Sequence, residues 1–142
     1  LLDWRDYGGP YAKAMVDLAR ALATELQTLG LPVFAADRGA TTSHQFAIEA
    51  AAFGGGQAAA KTLRKAGFLA CGIGLPIADV PGDMNGLRIG TPELVRRGVT
   101  PADAPALAAL IAEGLRSNAP ETVAPRTRAL RARFQGMHFV NP

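Results

Sequence analysis

The stretch of this chain best equipped for chemistry is Gly86-Leu87-Arg88-Ile89-Gly90-Thr91-Pro92-Glu93, with Arg96-Arg97-Gly98 close behind. Leu87 and Ile89 alternate with Arg88. An extended backbone therefore sends the two apolar side chains to one face and the guanidinium to the other. Thr91 is a favoured N-cap, Pro92 suits the first helical position, and Glu93 suits the positive end of a helix. The run predicts a strand that presents one arginine and turns at once into a short helix. A guanidinium fixed at a strand end is an always-charged fork that matches a carboxylate. The chemistry this suggests is capture of an amino acid by its carboxylate. The competing reading is a surface arginine or one half of a structural ion pair, and a local acid against Arg88 would favour it.

Other residues with chemical potential read more blandly. Arg96 and Arg97 fall in the last turn of the short helix, where cations are favoured, so capping competes with contact to substrate or a partner domain. His44 and His138 lie too far apart to suggest a metal pair, and each reads as a packing or capping residue. Gly54-Gly55-Gly56-Gln57 ahead of Lys61-Thr62 faintly resembles a phosphate-cradling loop, but Ala60 stands where the glycine before Lys-Thr belongs. Gly72-Ile73-Gly74 lacks the third glycine of a dinucleotide fingerprint. Arg126, Arg128, Arg131 and Arg133 read as a solvated face, with phosphate or an acidic partner as the sharper alternative. Cys71 reads as a buried strand thiol.

The elements that must position Arg88 follow from periodicity. Tyr11, Met15, Leu18, Leu22, Leu26 and Leu29 make one apolar stripe, which predicts a helix over roughly residues 10–29. Residues 32–36 form a possible short strand, and about 37–42 a turn-rich loop. Alternation around Phe46 and Ile48 predicts a strand over about 44–51, broken by Gly54-Gly55-Gly56. A second helix follows over about 57–66, with Ala58, Leu63 and Ala66 inward and Gly67 as its cap. Roughly 68–73 is a strand and 76–85 a loop, leading to the arginine strand. Thr100-Pro101-Ala102-Asp103 opens another helix with Leu107, Leu110, Ile111 and Leu115 on one stripe. A last helix covers about 121–134, and the tail beyond it is loose. Helices and strands in this order predict an α+β two-layer sandwich, a small, mostly antiparallel sheet with helices on one face.

Composition bounds the alternatives. A chain of 142 residues suits a single domain with a real core. Its 49% apolar and 19% charged residues make an ordinary soluble balance. A net charge of +3 is too mild to argue for nucleic acid. One cysteine excludes an internal disulfide and a cysteine-cluster zinc site, and fits a cytoplasmic setting. No stretch approaches the ~20 apolar residues that span a bilayer, so no membrane role is expected. The first residues, Leu1-Leu2-Asp3-Trp4-Arg5, carry neither an initiating Met nor a signal peptide, which suggests a piece of a longer chain.

Gly-Leu-Arg-Ile-Gly-Thr-Pro with Arg-Arg-Gly nearby resembles the Ser-Gly-Ile-Arg-hydrophobic-Gly-Thr-Pro-Ala…Thr-Arg-Gly signature of the serine hydroxymethyltransferases. These are pyridoxal-phosphate enzymes of the aspartate-aminotransferase fold (fold type I). Further pieces are similar in the same order. Tyr11-Ala12-Lys13 and Ala19-Arg20-Ala21-Leu22-Ala23 resemble the helix that opens the family's small domain. Thr42-Ser43-His44-Gln45-Phe46 resembles its Thr-Asp-Asn-His-Leu run, and Ala66-Gly67-Phe68 through Leu75-Pro76 its Ala-Gly-Ile…Ile-Pro segment. The similarity runs, with gaps, from about Tyr11 to Leu115.

The resemblance implies the C-terminal small domain of a serine hydroxymethyltransferase-like enzyme, acting at the Cα–Cβ bond of a β-hydroxy amino acid. Hydroxymethyl transfer, aldol cleavage and transaldol transfer are the candidate reactions. A related aminotransferase, or a non-catalytic interaction or regulatory domain that kept the fold, is the alternative. Residues 1–10 would be an interdomain segment, 11–117 the helix and sheet core, and 118–142 a C-terminal helix and tail. Arg88 would bind the substrate carboxylate, with Thr91 and Arg97 as further candidates. The resemblance places pyridoxal phosphate in a full-length, homodimeric parent, on a large domain absent from this chain. The family's Schiff-base lysine lies in a Thr-Thr-Thr-His-Lys type stretch, and Lys13, Lys61 and Lys65 do not match it. The chain alone is therefore expected neither to bind the cofactor nor to catalyse. The family's Asn-Lys-Asn run, whose second Asn contacts folate, aligns with Cys71-Gly72-Ile73, which argues against tetrahydrofolate use. Asn85 replaces the family's Ser and Glu93 its Ala, so the substrate pocket is expected to differ.

Overall fold

The computed structural model describes residues 2–141. Helix α1 (Leu2–Thr28) buries Tyr11, Met15, Leu18, Leu22 and Leu26 along one stripe, as the three-and-four spacing requires. It begins well before the predicted start, and Pro10 lies inside it. The early turns are held from outside. The Tyr11 ring stacks on Phe139 at 5.3 Å and meets Trp4 at 5.6 Å. The Asn141 backbone N–H donates to the Asp3 carboxylate at 2.9 Å, and its side-chain amide to Asp6 at 3.1 Å. Gly8-Gly9-Pro10 reads locally as a breaker, and these long-range contacts override it. Leu29, expected on the stripe, lies past the helix end and is exposed.

Three strands form one antiparallel sheet in the order β1-β3-β2, with β1 at Gln45–Glu49, β2 at Cys71–Ile73 and β3 at Gly86–Gly90. Phe46 pairs with Ile89 and Ile48 with Leu87, and all four side chains enter the core. Gln45, Ala47 and Glu49 share the opposite face with Arg88, Cys71 and Ile73. The possible strand at 32–36 is reduced to a single bridge, Val33 to Ile48. Ala35 adopts a left-handed backbone, φ 55°, and turns the chain away. The strand predicted over 68–73 keeps only its second half, because only residues 71–73 find partners on β3.

Helices α2 (Gly56–Lys65) and α4 (Ala104–Arg116) join α1 on the core face. Ala59, Ala60 and Leu63 point inward from α2, with Ala58 only half-buried. Gly67, φ 93°, closes α2 as predicted. Its N–H reaches the Arg64 carbonyl and that of Phe68 the Leu63 carbonyl, so the last turn is sealed. On α4, Leu107, Ile111 and Leu115 are buried and Leu110 sits on the shoulder. The short helix α3 (Pro92–Arg96) follows β3 directly, and α5 (Ala124–Arg131) is shorter than predicted at both ends. The result is the expected sandwich, a small antiparallel sheet backed by helices on one face. Among the described residues no helix is long and apolar enough to cross a membrane.

Candidate functional site

Arg88 sits at the middle of the central strand, opposite Ala47 on one side and Cys71 on the other. Leu87 and Ile89 are buried at 0% and 7% exposure, which locks the strand and turns Arg88 outward from the open face. The guanidinium is exposed and forms no ion pair or hydrogen bond among the described residues. It borders two cavities. The larger is a cleft of about 820 Å³ between the sheet and helices α3 to α5, where His44, Cys71, Arg97, Leu107 and Phe134 also face. The smaller is a recess of about 190 Å³ walled by Phe34, Ala47, Ile73 and Leu75.

The other predicted site residues separate. Arg97 is exposed and lines the larger cleft with Arg88. Arg96 points elsewhere. Its guanidinium lies 5.2 Å from the Tyr11 ring centre, its Nε donates to the Tyr11 hydroxyl at 3.3 Å, and Asp3 lies 4.0 Å away. That hydroxyl contact chiefly raises the Arg96 pKa further, against a smaller opposing effect of burial. Thr91 is fully buried and lines neither cavity. Its hydroxyl lies 2.8 Å from the Met15 carbonyl oxygen and 3.0 Å from that of His44, so it fastens the end of β3 to α1 and β1. The expected side-chain cap on α3 does not form.

Two polar residues in the loop before β3 act in ways their local sequence did not signal. Asn85 is buried at 6% exposure. Its Oδ1 accepts the Leu75 N–H at 2.7 Å, and its Nδ2 donates to the Leu75 and Ile77 carbonyls at 2.9 and 3.1 Å. The Asp83 carboxylate accepts the N–H groups of Gln57 and Ala58 at 2.9 and 3.0 Å. These bonds, that of Gln57 foremost, hold its carboxyl below the usual carboxylate range. The N-terminus of α2 is thereby filled by the chain's own anion, which removes the phosphate-loop alternative. Gly55 is needed there, since a Cβ on it would lie 2.5 Å from Asp83.

The remaining candidates fall into structural roles. Arg126 pairs with Glu113, which raises the arginine pKa and lowers that of the glutamate. Arg133 approaches Asp103 at 3.9 Å, while Arg131 turns toward the larger cleft. His44 stands exposed at the cleft, and the His138 N–H donates to the Arg96 carbonyl at 2.8 Å. Cys71, predicted buried, is only half-buried and faces the cleft beside Arg88. Lys13 pairs with Asp17 at 2.5 Å. Lys61 and Lys65 are exposed on α2, and no lysine lines either cavity. Among the described residues no three His, Cys, Asp or Glu side chains could together hold a metal ion.

Comparison with known proteins bears out the resemblance read from the arginine motif. No protein-family model matches the chain. It is 59% identical over 140 residues to an alpha-methylserine aldolase of Variovorax paradoxus, covering 99% of this chain and 32% of that protein. An alpha-methylserine aldolase of Ralstonia sp is 56% identical over 141 residues, again 99% of this chain and 32% of the relative. A serine hydroxymethyltransferase of Methanopyrus kandleri is 36% identical over 142 residues, or 98% of this chain and 33% of the relative. The solved structure of L-threonine transaldolase from Pseudomonas fluorescens, in its internal aldimine state, matches with a TM-score of 0.80 and 25% identity. That match covers 97% of this chain and 32% of the transaldolase. The chain thus spans about a third of the length of each relative. Its architecture is that of the small domain of fold type I enzymes.

Proposed function

We propose that this chain is the C-terminal small domain of a pyridoxal-phosphate enzyme acting at the Cα–Cβ bond of a β-hydroxy amino acid, and that Arg88 grips the substrate's carboxylate. The observation that carries the reading is an arginine locked on the central strand, without an acid partner, at the meeting of two cavities. Relatives named as an aldolase, a hydroxymethyltransferase and a transaldolase share this third of their length and support that reaction class.

The roles of the chain's own residues follow from their placement. Arg88 fixes one end of the substrate, so the bond to be broken is held in one orientation rather than many. Arg97 adds positive charge to the same cleft and draws in anionic substrate. Thr91 serves the fold, since it ties the end of the arginine strand to its neighbours from inside the core. Pyridoxal phosphate accepts the electrons released when a bond at Cα breaks. The residues present do not fit its attachment, because no lysine among the described residues faces the cleft. The Schiff-base lysine belongs to the large domain, in a parent we take to be a cytoplasmic homodimer. Ile73 offers an apolar side chain on the open face, where the family's folate-contacting amide aligns, so the reaction is assigned as folate-independent.

The test is steady-state kinetics of the full-length enzyme carrying Arg88→Ala and Arg88→Lys. Arg88→Ala lowers kcat/KM by about 2–4 kcal/mol, roughly 30- to 1,000-fold, the scale for removing one partner of a desolvated charge pair. Arg88→Lys recovers only part of it, because a point charge replaces a fork. An unchanged kcat/KM overturns the assignment. Activity that strictly requires added tetrahydrofolate overturns the reading of Ile73.

A further inference from the structure

We infer that the C-terminal tail is a positioning strap: through Phe139 and Asn141 it holds the first two turns of α1 in line across Gly8-Gly9-Pro10, and so fixes Arg88 relative to the large domain that leads into α1. The inference rests on the reading of the chain as the small domain that follows that large domain.

The first two turns need such a hold. Each glycine disfavours a helix by about fivefold against alanine, and an interior proline by more than about a hundredfold. Pro10 has no N–H to give the Asp6 carbonyl. Yet α1 runs unbroken from Leu2 to Thr28. Burial along it begins only at Tyr11, so the core does not hold residues 2–9. The tail supplies the hold instead. Phe139 meets Tyr7 edge-on at 6.5 Å and stacks on Tyr11 at 5.3 Å. Those two tyrosines lie one turn apart and flank the three breaker residues, so a single side chain clamps both sides of the break. Asn141 takes the turn before it, with its backbone N–H on Asp3 at 2.9 Å and its side-chain amide on Asp6 at 3.1 Å. Gly8 serves the same packing, because a Cβ there would lie 3.0 Å from the Trp4 ring. That ring crosses the break to meet Tyr11 at 5.6 Å.

The strap is also fastened to the helix behind the arginine strand. The His138 backbone N–H donates to the carbonyl of Arg96, the last residue of α3, at 2.8 Å. The His138 ring lies over Gly98 and Gly136, where an added Cβ would sit 2.7 Å from Nε2. The Tyr11 hydroxyl donates to the Pro92 carbonyl at 3.1 Å and accepts the Arg96 Nε–H at 3.3 Å. Tail, α1 and α3 therefore meet at Tyr11. Only Thr91 separates α3 from β3. The angle of the first turns of α1 against this cluster thus sets where Arg88 stands relative to the domain before α1. Phe139 has φ 58°, a left-handed backbone that a bulky side chain rarely adopts. Such a conformation persists where its surroundings over-determine it. Apart from Phe139 and Val140, which are half-buried, residues 135–141 are exposed. The strap can lift without opening the core, and Gly8-Gly9-Pro10 is then left as a hinge.

The experiment uses the full-length enzyme. Hydrogen exchange over residues 3–9 is followed by mass spectrometry, and kcat and KM are measured separately for the β-hydroxy amino acid it turns over fastest. Phe139→Ala is expected to speed exchange in residues 3–9 by about tenfold or more while residues 86–90 stay within about twofold. It is expected to raise KM by about fivefold or more with kcat within about threefold. Phe139→Tyr keeps the ring and leaves both readouts within about twofold. Asn141→Ala is milder, with exchange faster by about threefold or more, and carries the test should Phe139→Ala fail to fold. Gly9→Ala with Pro10→Ala makes the helix continuous by itself, and a Cβ on Gly9 meets nothing within 4 Å. Added to Phe139→Ala, the pair is expected to return KM to within about twofold of the parent value. Exchange unmoved by the tail variants overturns the strap, and so does a KM that Phe139→Ala leaves unchanged or that the helix repair fails to restore. An impaired Arg88→Ala leaves the carboxylate grip standing when the strap falls. An unimpaired Arg88→Ala overturns the grip, and exchange over residues 3–9 then decides the strap by itself.

Discussion

Asn85→Ala tests whether one buried amide holds the wall of the site. The side chain closes a ring of three hydrogen bonds to Leu75 and Ile77, at 2.7, 2.9 and 3.1 Å. Each such bond contributes about 1 kcal/mol net. Leu75 and Ile77 are half-buried, so water reaches part of what the truncation orphans. The expected loss is about 2–3 kcal/mol rather than the full desolvation penalty of three groups. For a domain of this size that corresponds to a fall in Tm of roughly 5–10 °C.

Asn85→Asp separates hydrogen bonding from shape, because the two side chains are nearly the same size. The new carboxyl can still accept the Leu75 N–H, but when ionised it turns a negative oxygen toward two carbonyls. Its folded pKa must then lie above the unfolded value of about 4. A raised carboxyl pKa means that the folded state binds more protons, so stability falls as pH rises from the unfolded value through the folded one. The Tm difference between Asn85→Asp and the parent chain should therefore widen between pH 4 and pH 7. Thermal melts followed by circular dichroism at three or four pH values suffice. A difference that stays flat with pH, or an Asn85→Ala loss below about 2 °C, would refute the clamp.

Two further perturbations address residues placed by the core rather than the cleft. Asp83 has a depressed carboxyl pKa because it caps α2. Its contribution to stability is present above the unfolded pKa and is lost as pH falls through the lower folded value. Asp83→Asn should lower Tm at pH 7 and flatten the acid side of the Tm–pH curve, as read from the same melts. Thr91→Val keeps the volume but removes the hydroxyl that bonds the Met15 carbonyl. It should destabilise by about 1–2 kcal/mol and leave kcat/KM within about threefold, because the hydroxyl lies outside both cavities. A large kinetic loss without a change in Tm would return Thr91 to the binding site.

What the sequence revealed was whatever its local chemistry decides. The arginine strand is set by period-two alternation and by Gly-Thr-Pro at its end, and it appears where expected, with the short helix after it. The Gly67 cap on α2 is equally local. The misses share a non-local cause. The first turns of α1 are helical because residues 139–141, at the far end of the chain, pack and bond against them. Thr91 has the sequence context of an N-cap, yet the two carbonyls that take its hydroxyl belong to residues 76 and 47 positions away. Asp83 caps a helix through the N–H of Gln57, 26 residues before it. Phe68 and Leu69 favour a strand locally, but pairing with β3 begins only at Cys71, and Leu69 is left 87% exposed.

The distribution of acids explains why Arg88 remains open. Asp83 is bound to the N-terminus of α2, Glu113 to Arg126, and Asp17 to Lys13. Asp103 holds the Thr100 N–H and hydroxyl, and Asp3 and Asp6 tie the tail to α1. Glu93 reaches the larger cleft but makes no ion pair with Arg88 or Arg97 there. Directly across the sheet Arg88 faces Ala47 and Cys71, neither of which carries a compensating charge, and Glu49, diagonal to it on the same face, forms no ion pair with it among the described residues. A cross-strand carboxylate at either position would stabilise the sheet by about 0.2–1 kcal/mol. It would also occupy the fork that a substrate carboxylate needs. The small residues opposite the arginine thus leave its guanidinium exposed on the open face, which is the condition the proposed carboxylate grip requires.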